Sequence, residues 1–221
     1  MAEITFYTNP QSRGRIVHWL LEELGVPYEI VKYQRDPKTN LAPPELEKIH
    51  PLGKSPVVTD GNTTVAESAV ILEYIVEKYG GGKLVPPKDT PNYWRYRYFM
   101  HYAEGSLMQF LLLRLITSKI RKAPVLVRPI AKKIAGTVDG IFVSPNLKRH
   151  IAFLASELTG RDFFAGGELS AADIQMSFPM EAIGARVPDA PAVIKSWVAR
   201  MHERPAYKKA LERGGPVEVM S

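Results

Sequence analysis

Cysteine is missing from all 221 residues. That absence removes disulfides, thiolate metal sites and every mechanism built on a protein cysteine nucleophile. Long apolar runs are missing too: the best candidate, Leu111 to Ile116, is broken by Arg114 and falls far short of the roughly 18 residues of a membrane span. The first residues, Met1-Ala2-Glu3-Ile4-Thr5-Phe6, show no basic region followed by an apolar stretch, so no secretory signal is expected. These absences predict a cytoplasmic protein with no metal site. A further gap is one of charge, because no acidic residue occurs between Glu104 and Asp139.

Hydrophobic residues make up 45% and charged residues 24% of the chain, enough for a packed core and against disorder. The length suits two small domains. The net charge is +6, and the acid-free segment alone carries seven cations: Arg114, Lys119, Arg121, Lys122, Arg128, Lys132 and Lys133. Attraction to anionic ligands or peripheral association with an acidic membrane surface is one reading of that excess. A solvated helix face with its loop is the weightier one. Nucleic acid ranks third, since no recognisable binding module accompanies the charge.

Strand and helix signals alternate through the first eighty residues. Ile4 to Thr8 is short and rich in strand formers, ending at Asn9-Pro10. Ser12 is placed to cap a helix whose stripe is Ile16, Trp19, Leu20 and Leu24, with Gly25 and Pro27 as its stop. Tyr28 to Tyr33 reads as a second strand, and a short helix follows around Glu45 to Ile49. Val57 to Thr59 and Thr63 to Val65 flank Asp60-Gly61-Asn62 as a hairpin. A helix over Ser68 to Tyr79 carries Ile71, Tyr74 and Ile75 on one side. The order is βαβ, then ββα. Gly80-Gly81-Gly82 and the proline-rich stretch to Pro91 mark a linker over 81–91, between a domain of residues 1–80 and one of 92–221. In the second domain strand signals nearly vanish. Trp94, Tyr98 and Tyr102 have helical spacing, as do Ile151 to Leu158 and Val193 to Met201, while Gly214 to Ser221 reads as a loose tail.

Three local features carry chemistry. Where the first strand empties into a helix N-terminus, unpaired N–H groups and the positive end of the dipole favour an anion, including a thiolate. Ser12 and Asn9 can each donate a hydrogen there. Lowering a thiol pKa from about 8.5 to about 6.5 takes roughly 2.7 kcal/mol. One charge-assisted hydrogen bond plus the dipole supplies about that. Taken alone, Ser12 as a cap and Asn9 as a turn residue would be the simpler account. The second feature is His50-Pro51-Leu52-Gly53-Lys54-Ser55-Pro56-Val57. Ser55-Pro56 ahead of a strand suggests a cis peptide, with Ser55 backbone groups free to pair an extended peptide. Lys54 beside it can hold a carboxylate; an ordinary loop proline is the plain alternative. The third is Ala66-Glu67-Ser68 opening the next helix. Ser68 can bind a carboxylate and Glu67 an ammonium, or both can simply complement the helix dipole.

One ligand fits all three: an amino-acid head, a peptide middle, a thiol and a second carboxylate. That ligand is glutathione. The chain resembles the glutathione transferase superfamily over almost its whole length. The resemblance runs through Ser12-Arg13, Trp19 to Glu29, Ala42 to Leu46, Lys48 to Pro56 and Ala66-Glu67-Ser68. Glu104 to Leu107 and Leu169 to Pro179 are most similar to the fungal yeast-type branch and its bacterial relatives. The resemblance implies an α/β thioredoxin-like N-terminal domain, an all-α C-terminal domain and a homodimer. It implies glutathione binding by Lys54, Ser55, Glu67 and Ser68, with His50 a further candidate, and a folding capping box of Ser170 and Asp173. For the thiol it points to Ser12 first, then Asn9, then Tyr7, whose side chain strand alternation can equally turn into the core. An electrophile site is expected between the domains along a helix from Tyr98 to Leu115, with Tyr98, Tyr102, Met108 and Phe110 as lining. His101 is a possible polar contact. The expected activity is conjugation of glutathione to small hydrophobic electrophiles, a detoxifying reaction, with hydroperoxide reduction beside it. A glutathione-dependent disulfide reductase and a non-catalytic binding protein are the alternatives.

Overall fold

A computed structural model of the protein describes residues 3–9, 12–36, 38–39 and 41–215. Its sheet has four strands in the order β2-β1-β3-β4. Strand β1 (Ile4–Thr8) runs parallel to β2 (Tyr28–Lys32) and antiparallel to β3 (Val57–Asp60), which pairs antiparallel with β4 (Thr63–Ala66). The β1–β2 crossover is α1 (Gly14–Leu24), and α2 (Ser68–Tyr79) follows β4. Alternation along β1 buries Ile4 and Phe6, while Thr5 and Tyr7 remain half-buried. Helix α1 buries Ile16, Trp19 and Leu20 as its spacing predicts, and Gly25 ends it in the left-handed conformation (φ 67°). Between β2 and β3 the expected short helix is a 3-10 turn, Pro44–Lys48. On α2, Ile71 and Ile75 are buried, but Tyr74 is half-buried and its hydroxyl is used instead. The buried Asp60 Oδ2 accepts from Tyr74, Tyr79 and Lys78, each at 2.7 Å, so one carboxylate fastens α2 to the hairpin.

No strand occurs beyond Ala66 among the described residues. Helix α3 (Pro91–Tyr102) runs through a π-helical turn, Ala103–Met108, into α4 (Gln109–Ile120). The single helix expected over Tyr98 to Leu115 is therefore widened at its middle. Helix α5 (Arg128–Val138) likewise continues through a π turn, Asp139–Val143, into α6 (Ser144–Leu158). Then come α7 (Ala171–Arg186), α8 (Ala192–His202) and α9 (Pro205–Gly214). Helix α7 is the central rod of this half, and its capping box forms: Ser170 donates to Asp173 Oδ2 through its N–H (2.9 Å) and its hydroxyl (2.7 Å). Phe164 N–H supplies a third donor, to Oδ1 (2.8 Å).

The two halves are clamped through α1. Its buried Glu22 carboxylate accepts from Lys209 (2.6 Å) and Arg213 (2.6 Å) of α9 and from the Tyr28 hydroxyl (2.5 Å). Trp19 meets Tyr207 edge-on at 5.3 Å. Gly214 closes α9, so the tail expected from that residue begins later; residues 216–221 lie outside the described residues.

Candidate functional site

Strand register decides where the three sequence features meet. Tyr7 is opposite Val57, and Val57 is opposite Ala66. The residues just beyond these, Thr8-Asn9, Ser55-Pro56 and Glu67-Ser68, therefore share one end of the sheet. Three strands about 4.8 Å apart span about 10 Å. An extended tripeptide, at roughly 3.3–3.6 Å per residue, covers the same distance.

Asn9, Ser12 and Ser55 form one hydrogen-bonded knot there. The Ser12 hydroxyl donates to the Asn9 carbonyl at 2.7 Å and accepts from Gly14 N–H at 3.1 Å, so it covers the first turn of α1 from two residues ahead. Sequence spacing put Ser12 at the cap itself; the cap position is Arg13, in helical conformation and without a side-chain cap bond. Ser12 Oγ also lies 3.3 Å from Ser55 Oγ and 3.4 Å from Thr8 Oγ1. Asn9 N–H donates to Ser55 Oγ at 3.1 Å, and Asn9 Oδ1 accepts from Arg35 at 3.2 Å. With its carbonyl oxygen engaged by a guanidinium, the Asn9 side chain keeps its NH2 as the donor end. Only glycine fits position 14, since a Cβ there would stand 2.0 Å from Thr8 Oγ1. The helix mouth sits that close to the strand end.

The Ser55-Pro56 peptide is cis, as its place before a strand suggests. Lys54 is exposed next to it, and His50, half-buried, accepts from Leu52 N–H at 3.4 Å. At the third feature Glu67 is exposed and holds φ 70°, a region that non-glycine residues occupy rarely and at a cost. Ser68 is buried at the first position of α2. The first bond of that helix is Ile71 N–H to Glu67 C=O (2.9 Å), which leaves the amides of Ser68, Ala69 and Val70 as its open end.

The remaining candidates are placed differently. Tyr7 is not turned into the core; it is half-buried and stacks on Tyr33 at 6.5 Å. Tyr102 and Phe110 are buried among the helices. The Tyr102 hydroxyl meets His150 Nδ1 at 2.6 Å, and the Phe110 ring lies 5.1 Å from His150 and 5.6 Å from Phe142. Tyr98 is half-exposed beside Tyr102 and Phe153, and His101 is exposed. These rings join α3 and α4 to α6. What this segment sends to the helix mouth is Glu104, from the π turn, which is ion-paired with Arg13. Met108, buried, stands one turn further on.

Two family models match the chain: the N-terminal domain of glutathione S-transferase over residues 2–77, and its C-terminal domain over 143–205. Glutathione S-transferase 3 of Schizosaccharomyces pombe is 34% identical over 205 residues, covering 91% of this chain and 84% of its own. The chain belongs to the glutathione S-transferase family. A solved glutathione S-transferase from Actinobacillus pleuropneumoniae superposes with a TM-score of 0.79 at 27% identity, covering 98% of this chain and 95% of that one. A glutathione transferase from Phanerochaete chrysosporium, solved with oxidised glutathione, shares the fold at a TM-score of 0.76 and 19% identity, over 96% and 95% of the two chains. Yeast and bacterial family members are thus both similar to this one, as motif resemblance suggested.

Several contacts around the mouth are not legible from the sequence. Arg13 and Arg15 both lie over the Phe178 ring, at 5.7 and 5.6 Å, and Arg15 is ion-paired with the buried Glu181. Glu181 also accepts from Tyr207 (3.0 Å) and meets His202 (3.1 Å). These contacts join α1 to α7 and α9 across separations of 160 residues or more in some pairs, as in Arg15 with Glu181, 166 apart. Opposite charges so far apart in a chain leave no local pattern to read.

Proposed function

We propose that this chain binds glutathione across the sheet end formed by residues 8–9, 55–56 and 67–68, and activates its thiol for attack on small hydrophobic electrophiles. The amino-acid head sits at Glu67 and Ser68, the peptide middle along Ser55, the second carboxylate by Lys54 and His50, and sulfur at the mouth of α1. The Ser12 hydroxyl rotates from the Asn9 carbonyl to the sulfur, and the Asn9 NH2 is a second donor. Both favour thiolate over thiol and so lower the thiol pKa. In conjugation the thiolate forms a sulfur–carbon bond, and the leaving group departs with the electron pair of the bond it loses. The electrophile enters beside the turn that carries Glu104 and Met108. Reduction of organic hydroperoxides uses the same thiolate. The homodimer implied by family resemblance belongs to this reading, and so does a cytoplasmic setting.

The observation that supports the proposal is the register that brings the three sequence features within the span of one extended tripeptide. Its test begins with retention on immobilised glutathione, then turnover of a chlorinated nitroaromatic and a hydroperoxide. Glu67→Ala or Ser68→Ala is expected to weaken glutathione binding roughly 10-fold with folding intact, at about 1.4 kcal/mol per lost polar contact. Unchanged affinity would put the ligand elsewhere. Ser12→Ala is expected to raise the apparent pKa in the pH–rate profile by about one unit or more. A profile that does not move would assign the sulfur to Asn9. Retention without any turnover would leave a binding protein and remove the enzymatic half.

A further inference from the structure

The tip of the helical half is built unlike the rest of the molecule. Along α4, Leu112, Ile116 and Ile120 form an exposed stripe at a spacing of four. The connection that follows exposes Val125, Leu126 and Val127, with Leu126 96% accessible. Helix α5 then exposes Ile130, Ile134 and Val138, again four apart, and the next turn adds Ile141 at 76%. Of the eleven residues of α5 only Ala135 is buried. Isolated exposed apolar side chains are ordinary, but a run of this length on consecutive elements marks a surface that meets something.

Charge identifies the partner. From residue 105 to residue 138 the chain has no carboxylate, and seven lysines and arginines are interleaved with the apolar positions. Among the described residues Arg121 alone of the seven is paired with an acid, Asp139 at 3.2 Å. On α5, Lys133 borders the side on which Ile130, Ile134 and Val138 cluster at 100° per residue, whereas Lys132 points away from it; on α4, Lys119 borders the stripe of Leu112, Ile116 and Ile120. A helix with an apolar face flanked by lysines is suited to lie in a lipid interface, apolar side down and ammonium groups among anionic headgroups. No helix of the described residues is long and apolar enough to cross a membrane.

We infer that the α4–α5 tip docks this protein peripherally on an anionic bilayer surface. Docking places Leu126, Ile130 and Ile134 below the headgroups and Lys119 and Lys133 against lipid phosphate and carboxylate. It is independent of the glutathione site.

Co-sedimentation of the full chain with vesicles tests this. Vesicles of phosphatidylcholine with about 30% phosphatidylserine are expected to retain the protein at low salt, whereas pure phosphatidylcholine retains little. Raising salt to about 0.5 M releases it, because screening shortens the reach of the lysines. Lys119→Gln with Lys133→Gln lowers partitioning roughly 30-fold, and Ile130→Asp with Ile134→Asp by at least about as much. All four positions are solvent-exposed, so an unchanged thermal melt shows that loss of binding is not loss of fold. Equal sedimentation with both vesicle types overturns the inference, as does binding indifferent to both pairs. If the isoleucine pair instead converts a dimer to a monomer with no lipid binding in either form, the face pairs copies of this chain and the inference fails.

Discussion

Helices α5 and α7 belong to the same half of the molecule and are opposites in what surrounds them. Twelve of the sixteen residues of α7 are buried, polar Asp173, Gln175 and Glu181 among them. On α5 the isoleucines face water. Apolar content does not separate the two helices; position in the assembly does. A helix surrounded by others has to find partners inside for its polar groups: Asp173 collects three donors and Glu181 sits among Arg15, His202 and Tyr207, while the Gln175 amide has no partner among the described residues. A helix at an edge has no such obligation, and its sequence is free to serve a partner.

That contrast can be sharpened by mutation, beginning with the largest effect. Asp173→Ala leaves the N–H groups of Phe164 and Ser170 without their acceptor in a buried site. A loss of about 3–5 kcal/mol is expected in denaturant unfolding; a loss under about 1 kcal/mol would mean that α7 does not depend on its cap. Ile174→Ala, fully buried on the same helix, should cost about 2–4 kcal/mol through the cavity it leaves. Ile134→Ala on α5 should change stability by less than about 0.5 kcal/mol by the same measurement. If the two isoleucines cost the same, α5 is covered in solution and the contrast breaks.

A pH dependence lies between these extremes. His18 is buried beneath α9 with its Nε2 on the Tyr28 hydroxyl, and burial lowers its pKa to about 4. The unfolded chain takes up a proton near pH 6.5 that the folded chain refuses until about pH 4. Stability from this group is therefore present above about pH 6.5 and is lost as pH falls toward 4. The Asp173 carboxyl, which burial pushes up to about 6, works the other way: the folded state holds its proton longer, so its contribution declines as pH rises through that value. Urea melts of wild type and His18→Gln across this window isolate the histidine. Equal slopes would show that His18 protonates freely in the folded protein.

Much of the architecture was open to reading along the chain. Strand β1 and helix α2 have the limits that their residue patterns predict, and Ser170-x-x-Asp173 forms the cap that its spacing announces. Such features are local: alternation, a helical stripe and a capping pair are each set within a few residues. The site was legible as three separate motifs, each with an ordinary explanation of its own. Its neighbours were less so. Tyr102 and Phe110, expected at an electrophile pocket, join helices instead, because an aromatic stripe reads alike whether it faces a ligand or another helix. Arg35 on Asn9 and Arg13 on Glu104 link residues whose proximity no periodicity encodes.

By itself the sequence determined most of the strands and helices, which segments carry ligand-like polar groups, and that these 221 residues hold no thiol. Tertiary structure alone decided that residues 9, 12 and 55 touch, that three motifs stand at one sheet end, and which apolar stripes are covered. The reason is physical: secondary structure follows from interactions over a few residues, whereas burial and hydrogen-bond partnership depend on which surfaces meet when strands register and helices pack.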